Sequence, residues 1–129
     1  MTYDLWALAA CLLLAMVQIG LQSIATLKQA GPAWVAGPRD TSFEVSGIGG
    51  RLVRAHRNLL EILPQFVAAL FIVHAADTNG VWAVSGAWTF FISRCLYVPA
   101  YLYGPPGLRS VFWQGGQFGI VFILVDIFR

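Results

Sequence analysis

Charge is what this chain has least of. Only 11% of its 129 residues are Asp, Glu, Lys or Arg, less than half of the about 25% usual in soluble domains. Together with 58% hydrophobic residues and a mean hydropathy of +0.70, that deficit excludes an ordinary soluble domain and points to the membrane. The formal net charge is only +2, and no basic tract interleaves with aromatics, so nucleic acid is not an expected partner. Cysteine is scarce too. Cys11 and Cys95 lie in apolar stretches and are too few for a disulfide framework. With no clustered histidines beside them they outline no metal site, and they read as buried free thiols. No repeat or low-complexity tract is evident. The leader "MTYD" carries an acid and no Lys or Arg, unlike the basic start of a signal peptide, so the first apolar run is expected to stay as a spanning helix.

Long apolar runs are abundant. Four can be drawn, at about 5–27, 51–76, 81–103 and 108–128. Each has the roughly 20 residues that a helix needs to cross about 30 Å of hydrocarbon. None shows the alternation of barrel strands, and helices satisfy their own backbone hydrogen bonds in lipid. The turns "DTNG" (77–80) and "GPPG" (104–107) are short, and only the connection 28–50 is long. Short turns make sequential helices antiparallel neighbours. The expected fold is therefore an all-α integral membrane protein, a single four-transmembrane-helix domain over 1–129 in up-down-up-down order. Lys28, Arg39, Arg51, Arg54, Arg57 and Arg109 gather at one end, whereas Arg129 shares the other with Asp4, Asp77 and Asp126. The positive-inside rule then places loops 28–50 and 104–107 in the cytoplasm and both termini outside. Short loops and the lack of a targeting segment suggest a bacterial inner membrane, with periplasmic termini.

What charge there is concentrates in "RLVRAHRNLLEIL", 51–63. At 100° per residue, Arg51, Arg54, Asn58, Glu61 and Gln65 fall within roughly 80° of one another. Arg57 lies beside Glu61, one turn before it, and can pair with it. His56 points to the other side. Arginines near a helix end can simply snorkel to headgroups, which suffices for Arg51 and Arg54. Glu61 is too deep for that and must face protein or water. On the third run, Arg94, Tyr97 and Tyr101 share a face. Arg94 sits about ten residues inside, where an unpaired guanidinium costs a few kcal/mol or more, and Glu61 is a possible partner. Tyr97 and Tyr101 alone would be ordinary interfacial aromatics. Arg109 and Ser110 open the fourth run, near free N–H groups that favour anions. Gly115 and Gly119 form a G-x-x-x-G that permits close helix packing. Pro64 and Pro99 can bend their helices. Arginines bind carboxylates bidentately, a glutamate takes an ammonium, and an asparagine amide bridges polar groups. The set suits a hydrophilic anion that also carries an amine.

At these residues the sequence resembles a known family. "RLVRAHRNLLEILPQF" is similar to the helix-two signature of the MAPEG family, the membrane-associated proteins in eicosanoid and glutathione metabolism. "RCLYVPAYLYGPPGLRSVFW" is similar to its helix-three to helix-four segment. The resemblance implies a homotrimer that binds glutathione as co-substrate between subunits near the cytoplasmic side, with membrane lipids around it and a lipophilic small molecule as second substrate. It implies glutathione contacts at Arg57, Asn58, Glu61, Tyr101, Arg109 and Ser110. Arg54 and Arg94 match the family's buried arginines, and Tyr97 matches a variable position. Trp113 stands where prostaglandin-synthesising members have a ligand-touching tyrosine, and the first helix lacks a basic cluster at its end. The implied chemistry is glutathione transferase or peroxidase activity by thiolate activation. Arg109 would supply the cation, and Ser110 or alternatively Tyr101 the hydroxyl donor. The competing reading is a non-catalytic member that binds a lipid or ligand as a scaffold. A small transporter would need polar residues throughout the bilayer, which the outer halves of the last three helices lack.

Overall fold

A computed structural model describes every residue, Met1–Arg129. The chain folds as α1 (Tyr3–Ala30), a one-turn α2 (Pro32–Ala36), α3 (Gly47–Ala75), α4 (Val81–Tyr103) and α5 (Leu108–Val125), closed by a 3-10 turn over Asp126–Phe128. It contains no strand. Four helices, with α5 extended through Phe128, are long and apolar enough to cross a membrane.

The burial pattern is that of a protein in lipid. Along α1 the buried positions are Asp4, Ala7, Cys11 and Gln18, small or polar residues on one stripe. The same helix exposes Leu12, Leu13, Met16, Val17, Ile19, Leu21 and Ile24. In water that arrangement would be inside out. In hydrocarbon the apolar side chains gain nothing by leaving lipid, so small residues go to helix contacts and polar groups turn inward. The core proper is aromatic and aliphatic: Phe66 of α3 stacks on Phe90 of α4, with centroids 4.0 Å apart and planes at 8°. Ala7, Cys11, Leu70, Ala87 and Ile123 surround them.

Glycines set the closest approach in the bundle. A Cβ on Gly119 of α5 would meet the Gly86 carbonyl at 2.7 Å, and one on Gly86 would collide with Gly119 in return. Gly115 of the G-x-x-x-G faces Ser93 Oγ. The α4–α5 contact is thus glycine against glycine, and Gly86 is the half that the motif alone did not reveal. Pro64 and Pro99 both sit inside continuous helices.

The end that carries both termini is tied by two carboxylates. Asp4 Oδ2 lies 2.7 Å from His74 Nε2, joining the start of α1 to the end of α3. Asp126 Oδ2 accepts from the Gly80 and Ala83 amides at 2.9 and 2.7 Å, capping α4 from the end of α5. These links place the starts of α1 and α4 beside the ends of α3 and α5, an up-down-up-down order.

The connection at 28–50 is ordered, and helix takes up both of its ends. α1 runs on to Ala30, and α3 starts at Gly47 rather than near residue 51. Gln29 and Ser46 close the strap reciprocally: Gln29 Nε2 donates to the Ser46 carbonyl at 3.0 Å, and the Ser46 amide donates to Gln29 Oε1 at 2.9 Å. Glycine is a poor helix former, yet "GIGG" extends α3 because Gly49 and Gly50 leave room for Val45 of the strap, and Gly49 also for Ala25 of α1.

Candidate functional site

At the opposite end from the two carboxylate ties, α3, α4 and α5 line an open cleft of about 360 Å³. Arg54, Arg57, Asn58 and Glu61 line it from α3, Tyr97 and Tyr101 from α4, and Arg109 from α5. Spacing explains the convergence. The α3 residues recur every three or four positions and so share a face. Tyr97 and Tyr101 stand one turn apart on α4, and the tight "GPPG" turn brings Arg109 back beside Tyr101.

The side chains form a ladder of alternating cations and rings. Arg94 stacks on Tyr97 with its guanidinium carbon 4.5 Å from the ring centroid. Tyr97 and Tyr101 lie parallel, 5.7 Å apart at 8°. Arg109 covers Tyr101, also at 4.5 Å. Arg54 Nε donates to the Tyr101 hydroxyl at 2.9 Å. Each cation over a ring face contributes about 0.5–2 kcal/mol according to its exposure, so the ladder holds its members in place without neutralising their charge.

Arg94 does not line the cleft but lies beneath it, 1% exposed. Its Nη2 donates to Asn58 Oδ1 at 2.6 Å, while Nε and Nη1 have no partner. Neither ion pair that the sequence allows is formed. Glu61 bridges to neither Arg57 nor Arg94, and the one acid–base contact of salt-bridge length in the molecule is Asp4 with His74. The reason is register: Asn58, one turn before Glu61 on α3, is the group that Arg94 reaches. Glu61 is left exposed in the cleft. Three guanidinium groups and one carboxylate therefore face this space with no internal salt bridge.

Besides Arg94, two sequence-derived site residues fall outside the cleft. Ser110 is exposed and lines an adjoining cavity of about 390 Å³, which it shares with Arg51, Arg54, Tyr101 and Arg109. Trp113 is 40% exposed and lines neither cavity. One further arginine has a defined job. Arg51 Nη1 donates to the Leu102 carbonyl at 2.6 Å, fastening the start of α3 to the end of α4. Its place on the polar stripe was the only hint, and snorkelling explained that equally well. His56 is buried on the opposite face, with Nδ1 unpartnered, and takes no part in the cleft. No cluster of His, Cys, Asp or Glu is arranged to hold a metal.

Four apolar helices, a cation-lined cleft at one end and a site drawn from the "RNLLE" and "LRS" segments are now in view. The family model for MAPEG matches residues 4–129. The chain belongs to the MAPEG family. No curated protein and no solved structure matches it. Membership makes this an integral membrane protein of a family that includes glutathione transferases and peroxidases and generally assembles as trimers. In this MAPEG chain the match runs through all four spans, so the polar residues of α3, α4 and α5 lie within the matched region.

Proposed function

We propose that this chain binds glutathione in the arginine cleft and uses it as a transferase or peroxidase on lipophilic electrophiles. The observation that carries the proposal is the unpaired charge of the cleft. Arg54, Arg57 and Arg109 together with Glu61 match a ligand with two carboxylates and one ammonium, and no internal salt bridge competes for them. Three guanidinium groups facing one cleft repel one another, and an anionic ligand relieves that repulsion. Family membership supplies the ligand class.

The chemistry follows from the hydroxyl and guanidinium groups. A thiol of pKa near 8.5 is mostly protonated at neutral pH. A cation and a hydroxyl donor aimed at sulfur favour the thiolate, the nucleophilic form. Arg109 is the cation. Tyr101 supports the donor role better than Ser110 does, because its oxygen already accepts from Arg54 Nε. Its own proton is therefore free to point at sulfur, and it lines the same cleft as Arg109. The thiolate then attacks an electrophile arriving from the lipid, displacing its leaving group.

On this reading the protein works as a homotrimer, with the cleft and the 28–50 strap on the cytoplasmic side of a bacterial inner membrane and both termini periplasmic. Lys28, Arg39, Arg51, Arg54, Arg57 and Arg109 lie at the near end and Arg129 alone at the far one, which supports that orientation. Calorimetry of glutathione against the detergent-solubilised protein tests the binding. Saturable binding is expected, weakened at least tenfold by Glu61→Gln. No heat of binding from an intact oligomer would instead support a lipid-binding scaffold.

A further inference from the structure

A second cavity, larger than the arginine cleft, lies under the strap. It measures about 600 Å³ and is lined by Gln22, Ser23 and Thr26 of α1, Trp34 and Val35 of α2, the strap residues Arg39, Phe43, Glu44 and Val45, and Gly50, Val53, Arg54 and Arg57 of α3. Its walls are held in advance. Gln29 and Ser46 clamp the strap to α1, and Trp34 Nε1 donates to the Thr41 carbonyl at 2.8 Å. Arg39 donates twice to the Val35 carbonyl while lying 5.3 Å over the Trp34 ring. A Cβ on Gly50 would collide with the Val45 carbonyl and meet Arg54 Nη1 at 3.4 Å, so glycine keeps this space open.

Charge and position define what fits. Three arginines against the one acid Glu44 leave a surplus of two positive charges in the lining (3 − 1), and none of the four forms a salt bridge. The cavity sits where the apolar spans end, with the Trp34–Phe43 ring pair at its edge. Aromatic rings are favoured at that depth in a bilayer. Below the cavity, on the flank of α1 continuous with Ser23, Leu12, Met16 and Ile19 are exposed, within about 60° of one another at 100° per residue. A basic polar chamber thus opens onto an apolar track.

We infer that this cavity binds the phosphate headgroup of an anionic phospholipid from the surrounding bilayer, with the acyl chains along Leu12, Met16 and Ile19. Arg39 takes the phosphate and Ser23 donates to it, while Arg54 and Arg57, on the wall shared with the arginine cleft, add positive potential. Glu44 opposes anions and limits the affinity. The inference does not depend on glutathione.

Native mass spectrometry of the protein released from mixed bilayers tests it, with phosphatidylglycerol and phosphatidylcholine present in equal amounts. Wild type is expected to retain the anionic lipid over the zwitterionic one by about fivefold or more. Ser23→Phe fills the chamber and should bring retention down to the phosphatidylcholine level. Glu44→Gln, an exposed strap change that spares the fold, should raise anionic retention severalfold. Equal retention of the two lipids by wild type would overturn the inference. So would wild-type behaviour in both variants, or release of the lipid by millimolar inorganic phosphate, which would assign the chamber to a soluble anion. Both variants lie outside the arginine cleft, so glutathione titration of the same samples reports on the cleft separately.

Discussion

Arg94, the largest fully buried side chain, is held by Asn58 through a 2.6 Å hydrogen bond and not by any carboxylate. A buried guanidinium bound to a neutral amide keeps its full charge. It therefore adds positive potential beneath the cleft while fixing Tyr97 from below. Removing the acceptor costs about 1–3 kcal/mol or more, because a charged donor is left unsatisfied. Asn58→Leu is thus expected to lower the melting temperature in detergent more than the double variant Asn58→Leu/Arg94→Met does. A double variant less stable than Asn58→Leu alone would show that the contact does not confine the charge.

Arg109 stacks on Tyr101 from the first turn of α5 and touches no acid. Arg109→Ala should abolish turnover while weakening glutathione binding by about tenfold or less, the loss of one exposed charge-assisted contact. Steady-state kinetics beside calorimetry separates the two effects. Unchanged turnover would remove thiolate activation from this residue.

The two hydroxyl donors are distinguishable. Tyr101→Phe keeps the ring between Arg54 and Arg109 but removes the proton, and is expected to cut turnover by about 10²-fold or more, in the range of a lost transition-state donor. Ser110→Ala is expected to cost less than tenfold. The ultraviolet absorbance of bound thiolate should fall in the first variant and persist in the second. The reverse pattern would make Ser110 the donor.

Asp126 reaches from the end of α5 to two amides at the start of α4. An acidic cap of this kind contributes about 0.5–2 kcal/mol. Asp126→Ala should lower thermal stability by about that amount and leave glutathione binding unchanged, because the cleft is at the far end of the bundle. A binding defect would mean that the two ends are coupled.

Much of this was legible in the sequence for a simple physical reason. A span must be continuous, apolar and about 20 residues long, so four helices could be counted and their order inferred from short turns. The α3 face could be drawn because a helix projects every third and fourth residue to one side, and Arg54, Arg57, Asn58 and Glu61 duly line one cleft. Partner choice was not legible. Whether Arg94 met Glu61 or Asn58 depends on how far α4 slides along α3, a register that no single helix encodes. Gly119 announced a close contact, but only packing named Gly86 opposite it. The Gly, Pro, Ser and Thr content of the strap read as an ordered or semi-ordered loop, without showing what orders it. Its order comes from the Gln29–Ser46 clamp, a pairing across seventeen residues. By itself the sequence determined the solvent, the number of spans and the faces that carry polarity, since these follow from local composition and helical period. Tertiary structure decided which charges remain unpaired, because that depends on distances between helices, and the unpaired charges define the site.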